Sequence, residues 1–124
     1  MHPQKTILVL GASSEPDRIS GLAVSRLSNE GYLVLAVGRS GGKIGDVIIH
    51  PSISEIQAGP VHTVTMYLNA KNQADYYPWI FANKPKRIIF NPGAENPELE
   101  ALASIRGIEC ENACTLVLLS SGVF

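Results

Sequence analysis

Eight consecutive residues, Gly11-Ala12-Ser13-Ser14-Glu15-Pro16-Asp17-Arg18, carry the first group of side chains suited to holding an anion. A glycine followed by the small residues Ala12, Ser13 and Ser14 lets the backbone turn tightly and approach a ligand closely. Ser13 offers a hydroxyl to a phosphate oxygen, and Arg18 a planar cation with several donors. The pattern is neither of two familiar phosphate loops. Ser13 stands where the dinucleotide fingerprint needs its second glycine, and no Gly-Lys-Ser/Thr follows as in a Walker A loop. A second cluster, Gly38-Arg39-Ser40-Gly41-Gly42-Lys43, places two cations on a flexible turn. NAD sites usually carry an acidic residue at that point for the ribose hydroxyls. Arg39 and Lys43 suit a phosphorylated ribose instead, either the 2′-phosphate of NADP or the 3′-phosphate of coenzyme A.

Two further polar turns, Leu68-Asn69 and Asn91-Pro92-Gly93, each follow an apolar run. Their asparagines can hydrogen-bond an adenine or a pantetheine amide, although capping and turn formation are the commoner uses. Groupings for catalysis are missing: there is no Gly-x-Ser-x-Gly elbow, no His-Glu-x-x-His and no pair of carboxylates beside these turns. His2, His50 and His62 are scattered, and Cys110 and Cys114 lack a second ligand pair, so no metal site is expected. Both cysteines read as free thiols, and Cys114 lies nearest the expected ligand edge.

These turns need elements to position them. Ile7-Leu8-Val9-Leu10 reads as a buried parallel strand, and Ile19, Leu22, Ala23 and Leu27 then recur at helical spacing until Gly31. Residues 32–37, 47–49, 61–68 and 87–90 are the next strands, and residues 38–45 read as a loop. Ser52 and Glu55 form a candidate capping box for a short helix. A stripe of Ala70, Ala74, Tyr77 and Phe81 is helical, with Pro78 kinking or splitting it. Asn96 caps a last helix whose first residue is Pro97; its face of Leu99, Leu102 and Ala103 runs to Gly107. A further short strand at 108–111 and an apolar tail at 115–119 complete the chain. The alternation predicts a single-domain, three-layer α/β/α sandwich with a mostly parallel five-stranded sheet. Such sheets bind ligands beyond the carboxyl ends of their strands, where all four polar turns fall.

Composition narrows the partners. The 124 residues fit one domain, with 45% hydrophobic residues and a formal net charge of −1. That balance gives no electrostatic case for nucleic acid, and no segment approaches the roughly 20 apolar residues of a membrane span. The opening Met1-His2-Pro3-Gln4-Lys5-Thr6 lacks a signal-peptide layout, so a cytoplasmic protein is expected. The expected partner is a small nucleotide cofactor, with homo-oligomerisation left open.

From about Lys5 to Leu119 the chain resembles the small stand-alone coenzyme A-binding proteins, a Rossmann-like group related to the coenzyme A-binding domain of the succinyl-CoA synthetase α subunit. The resemblance is carried by Gly11-Ala12-Ser13 with Pro16-Asp17-Arg18, by residues 45–56, by Asn91-Pro92-Gly93 and by Asn112-Ala113-Cys114. Three positions depart from the family pattern: Gly38-Arg39 replaces an Asn-Pro turn, Leu68-Asn69-Ala70 replaces an arginine-led segment, and Ala113 replaces a basic residue. The resemblance implies a non-catalytic module that binds coenzyme A or an acyl-CoA at the carboxyl edge of the sheet. An NADP-binding oxidoreductase-like protein and the cofactor-binding subunit of a larger acyl-CoA ligase are the alternatives.

Overall fold

Every side chain from Ile7 to Leu10 is removed from solvent, because β1 (Thr6–Leu10) lies at the centre of a sheet covered on both sides. The computed structural model describes residues 5–56 and 60–124, so the amino-terminal reading, His2 included, rests mostly on residues outside that set. After β1 come α1 (Ile19–Asn29), β2 (Leu33–Val37), β3 (Gly42–Ile44), β4 (Val47–His50) and β5 (Thr63–Met66). They are followed by α2 (Tyr77–Asn83), β6 (Arg87–Phe90), α3 (Pro97–Ile105), β7 (Glu109–Asn112) and α4 (Thr115–Ser120). The sheet order is β3-β4-β2-β1-β5-β6-β7, and every pairing is parallel except β3 with β4.

Alternate residues of β1 serve opposite layers, as the pleat requires. Ile7 and Val9 pack with Val24 and Leu27 of α1 and Leu119 of α4. Leu8 and Leu10 pack with Ile80 of α2 and with Leu99 and Ala103 of α3. The result is the expected three-layer Rossmann-like sandwich. Its strand count differs: seven among the described residues, not five. β7 is the short strand foreseen at the end of the chain, but β3 falls inside residues 38–45, which read as a loop. Glycines mask it, because Gly42 opens β3 and Gly45 turns it back antiparallel onto β4 at φ +57°. Among the described residues, no helix is long and apolar enough to cross a membrane.

The local signals for helix ends hold at α1 and α3, while the Ser52–Glu55 box and the face of α1 differ from the reading. Gly31 and Gly107 follow α1 and α3 with positive φ, and Tyr32 N–H and Ile108 N–H close Schellman bonds to Leu27 O (3.2 Å) and Ala103 O (3.0 Å). Asn96 caps α3, its Oδ1 accepting from Leu99 N–H at 3.1 Å. Pro78 divides the expected helix into two 3₁₀ turns, Ala70–Asn72 and Ala74–Tyr76, followed by α2. The Ser52–Glu55 box does not close, since Ser52 Oγ accepts from Ser54 N–H while Glu55 bonds His50 Nδ1. On α1 the buried face is Ser20, Gly21, Ala23, Val24 and Leu27, whereas Ile19 and Leu22 are more than half exposed. A Cβ on Gly21 would lie 2.6 Å from Ser13 O, so small residues are what that face must present. A reading weighted by hydrophobicity passes over them.

A buried amide ties the sheet edge to α3. Gln73, fully buried, donates from Nε2 to Leu68 O (2.8 Å) and Ala94 O (2.7 Å), and its Oε1 accepts from Asn96 Nδ2 (2.9 Å). Gln73→Leu leaves the Leu68 and Ala94 carbonyls without this donor and Asn96 Nδ2 with only its bond to Tyr77 Oη. It is expected to lower stability by about 3 kcal/mol, on the cost of burying unsatisfied polar groups. Urea denaturation reads this as a lower midpoint at unchanged slope; a loss under about 1 kcal/mol would show that the loop is held by other contacts.

Candidate functional site

Three hollows open along the carboxyl edge of the sheet, and all three share Gly11. Gly11 stands at φ +92°, and a Cβ there would meet Leu68 N at 3.1 Å, so the residue keeps the floor of this edge open. Its N–H and that of Ala12 both donate to Val37 O at 2.9 Å, which locks the first turn onto the end of β2. Those two amides are therefore committed to the junction. Gly38 closes the same junction from the other side: a Cβ there would run into the carbonyl of Ala12.

The first hollow, about 240 Å³, holds Gly38, Arg39, Pro51, Leu68, Asn72, Asp75 and Tyr76 with Gly11. Burial raises the Tyr76 pKa, Asp75 raises it further and Arg39 offsets part of the rise. The second, about 180 Å³, brings Ala12, Ser13, Arg18, Arg39, Ser40 and Leu68 together. Here the two arginines singled out from separate turns share one wall. Ser13 Oγ accepts from Glu15 N–H at 3.2 Å, and Ser14 lies beside Gly42 in an adjoining recess.

The third hollow is the largest at about 320 Å³ and lies between the start of α1 and the ends of β5, β6 and β7. Gly11, Asp17, Arg18, Ile19 and Ser20 form one side, and Tyr67, Asn91, Pro92 and Cys114 the other. No side chain caps α1 and its first turn has no acidic residue, so its free N–H groups and positive dipole end remain available to an anion.

The polar turn residues divide by use. Asn91 is buried and committed: Nδ2 donates to Thr65 Oγ1 (2.8 Å) and Met66 O (3.0 Å), and Oδ1 accepts from Thr115 N–H (2.8 Å). Thr65 Oγ1 also lies 2.7 Å from Thr115 Oγ1, so this cluster fastens α4 to β5 and β6. Asn69 accepts from Asn72 N–H at 3.1 Å and lines none of the hollows. Gly93 donates to Glu95 Oε1 at 3.0 Å and likewise stands outside them. Residues not anticipated in the site include Ile19, Ser20, Pro51, Tyr67, Asn72, Asp75 and Tyr76. Tyr67 directly follows β5, a position that the strand-end rule alone marks.

His62 and Cys110 lie away from this edge. His62 precedes β5 at the opposite end of the sheet, and burial, with Lys5, Arg87 and Lys86 nearby, lowers its pKa. Burial, with Glu100 and Glu109 adding to it, pushes the Cys110 thiol up to about 11. Among the described residues no group of three His, Cys, Asp or Glu could hold a metal ion.

The sequence pattern described as "CoA binding domain" matches residues 5–120. No curated protein matches the chain. Among solved structures, an uncharacterized protein superposes with a TM-score of 0.90 at 44% identity, covering 97% of this chain and 98% of its own. A Thermus thermophilus protein described as cell-free ID.343 gives 0.83 at 26% identity over 97% of this chain and 90% of that one. A hypothetical protein from Pyrococcus horikoshii OT3, at 23% identity, shares the fold with a TM-score of 0.83 over 94% of this chain and 82% of that one.

The two glycines of the turn junction differ in what a side chain would cost. Gly11→Ala places a Cβ at positive φ, 3.1 Å from the Leu68 amide nitrogen and 3.2 Å from its side chain, and is expected to cost about 1–3 kcal/mol. Gly38→Ala drives a Cβ into backbone and should cost more, so its urea midpoint should fall below that of Gly11→Ala. Equal midpoints would show that the junction relaxes freely.

Proposed function

The chain belongs to the CoA binding domain family, and from that premise we propose that it binds coenzyme A along the carboxyl edge of the sheet as a module without chemistry of its own. The observation that carries this reading is the run of three hollows meeting at Gly11, with Arg18 and Arg39 both lining the middle one. Coenzyme A is long, with an anionic diphosphate between an adenosine carrying a 3′-phosphate and a pantetheine arm ending in a thiol. A groove with cations in the middle and larger recesses at each end suits that order of parts. Ser13, Arg18 and the uncapped start of α1 would meet the diphosphate, where free N–H groups and a positive dipole end favour it. Arg39 would pair with the 3′-phosphate as a charge-assisted contact. Pro51, Leu68 and Tyr76 offer the adenine an apolar recess, and the pantetheine arm would then run towards Pro92 and Cys114.

A binding role fits where the bases sit. A general base must come within about 3 Å of the proton it removes, and His62 is at the far end of the sheet while His50 bonds Glu55 at 3.1 Å. Cofactor chemistry, in this reading, belongs to whatever enzyme receives the thioester.

Thermal unfolding with coenzyme A, acetyl-CoA, NAD and NADP in parallel tests the ligand class. Coenzyme A at about 100 times its Kd adds about 2.7 kcal/mol, a rise on the order of 10 °C for a domain of this size. A shift with NADP and none with coenzyme A would overturn the reading. The Arg39 assignment has its own test by calorimetry. Arg39→Ala should weaken coenzyme A by about tenfold while leaving 3′-dephospho-coenzyme A within about twofold; equal losses would place Arg39 away from the 3′-phosphate.

A further inference from the structure

Among the described residues, two buried side-chain polar atoms have no hydrogen-bond partner: Ser20 Oγ and Tyr67 OH. Both residues line the same hollow, the largest of the three, from opposite walls. Ser20 is only 4% exposed. It occupies the second position of α1, where the residue four back, Pro16, precedes the helix. The carbonyl to which a mid-helix serine normally donates is therefore not presented. Tyr67 lies near the Thr65–Thr115 pair without a hydrogen bond of good geometry to either hydroxyl. Burial, with Cys114 adding to it, raises its pKa despite the pull of those hydroxyls, so it stays a protonated donor. Ile19, Pro92 and Cys114 add apolar surface beside these hydroxyls, and Gly11, Asp17, Arg18 and Asn91 complete the lining.

A buried hydroxyl without a partner costs about 1–3 kcal/mol, so two on one cavity are a standing cost that an arriving acceptor would remove. Beside Ile19, Pro92 and Cys114, an acceptor oxygen carried on a partly apolar group suits the hollow. The pantetheine thiol itself offers only a weak acceptor. A thioester carbonyl meets the description, with its alkyl part against Ile19 and Pro92.

We propose that the hollow between α1 and the ends of β5 and β6 is an acyl subsite, in which Ser20 and Tyr67 donate to the carbonyl oxygen of an acyl-CoA thioester. The inference rests on the coenzyme reading above and narrows it: the ligand class is the thioester rather than the free thiol. A staggered turn about χ1 brings the Ser20 hydroxyl to the incoming oxygen. No bond is made or broken. The subsite holds the thioester and selects for it.

The test is calorimetry on the full chain with coenzyme A, acetyl-CoA and S-ethyl-coenzyme A, the thioether in which a methylene replaces the carbonyl. Acetyl-CoA should bind about tenfold more tightly than the thioether, as one to two net hydrogen bonds supply. Ser20→Ala and Tyr67→Phe should each bring that ratio down to about threefold, and the double variant to about one. A loss of packing alone would weaken both ligands together and leave the ratio unmoved, which would overturn the assignment of these hydroxyls. Equal affinity for acetyl-CoA and the thioether in the unaltered protein would overturn the subsite while leaving coenzyme binding intact. Failure of all three ligands, free coenzyme A included, would instead remove the coenzyme reading, and the subsite with it.

Discussion

Backbone approaches backbone at the carboxyl end of β1 more closely than side chains would allow, and the groove depends on that. Val37 O receives the amides of both Gly11 and Ala12, Gly38 sits against Ala12 O, and Gly21 brings α1 against Ser13 O. Three glycines on three elements thus meet at one small region. Each removes a Cβ where another chain segment passes. The outcome is a floor low enough for an elongated ligand and a helix start held directly above it. Arg18 and Arg39 reach a common wall because their turns are pinned together, not because they are close in sequence.

Two polar clusters hold the rest of the edge. Asn91, Thr65 and Thr115 bond α4 to the middle of the sheet and so fix Cys114 beside Tyr67 and Pro92. Gln73 and Asn96 bond the Leu68 carbonyl to the start of α3, fixing the opposite rim. Buried hydrogen-bonded groups have defined directions, so a satisfied network sets a position where apolar contact would tolerate sliding. Against that background the free hydroxyls of Ser20 and Tyr67 stand apart. Elsewhere in the described interior polar side chains are matched, and the mismatch falls inside the groove.

The edge also has a polarity along its length. Towards β4 it is lined by Arg39, Asp75 and Tyr76, and towards β7 by Pro92, Tyr67 and Cys114. The reordering of strands about β1 and β5 produces this. β2 carries the chain out to one side of β1, and β5 returns on the other, so turns from distant stretches of sequence face one another across Gly11. A charged nucleotide end and a less polar tail have separate places in such a groove.

Local sequence determined the parts whose physics is local. Four buried residues before a glycine made β1 and its turn. Gly31 and Gly107 stopped helices by taking positive φ, Asn96 capped α3, and Pro78 broke the stretch ahead of α2 because it has no N–H to donate. The family, too, was legible, from the order and spacing of the turns over residues 5–120. Tertiary structure decided what depends on distant partners. β3 exists because β4 offers it a ladder, which overrides its glycines. The buried face of α1 follows the near contact at Gly21 rather than the positions of Ile19 and Leu22. Asn91 became an internal fastener through residues about 25 positions away on either side, and Thr65 met Thr115 across a separation of 50. A side chain's type limits which bonds it can make. Which of them it makes, and whether any is left for a ligand, is set by what the fold brings within about 3 Å.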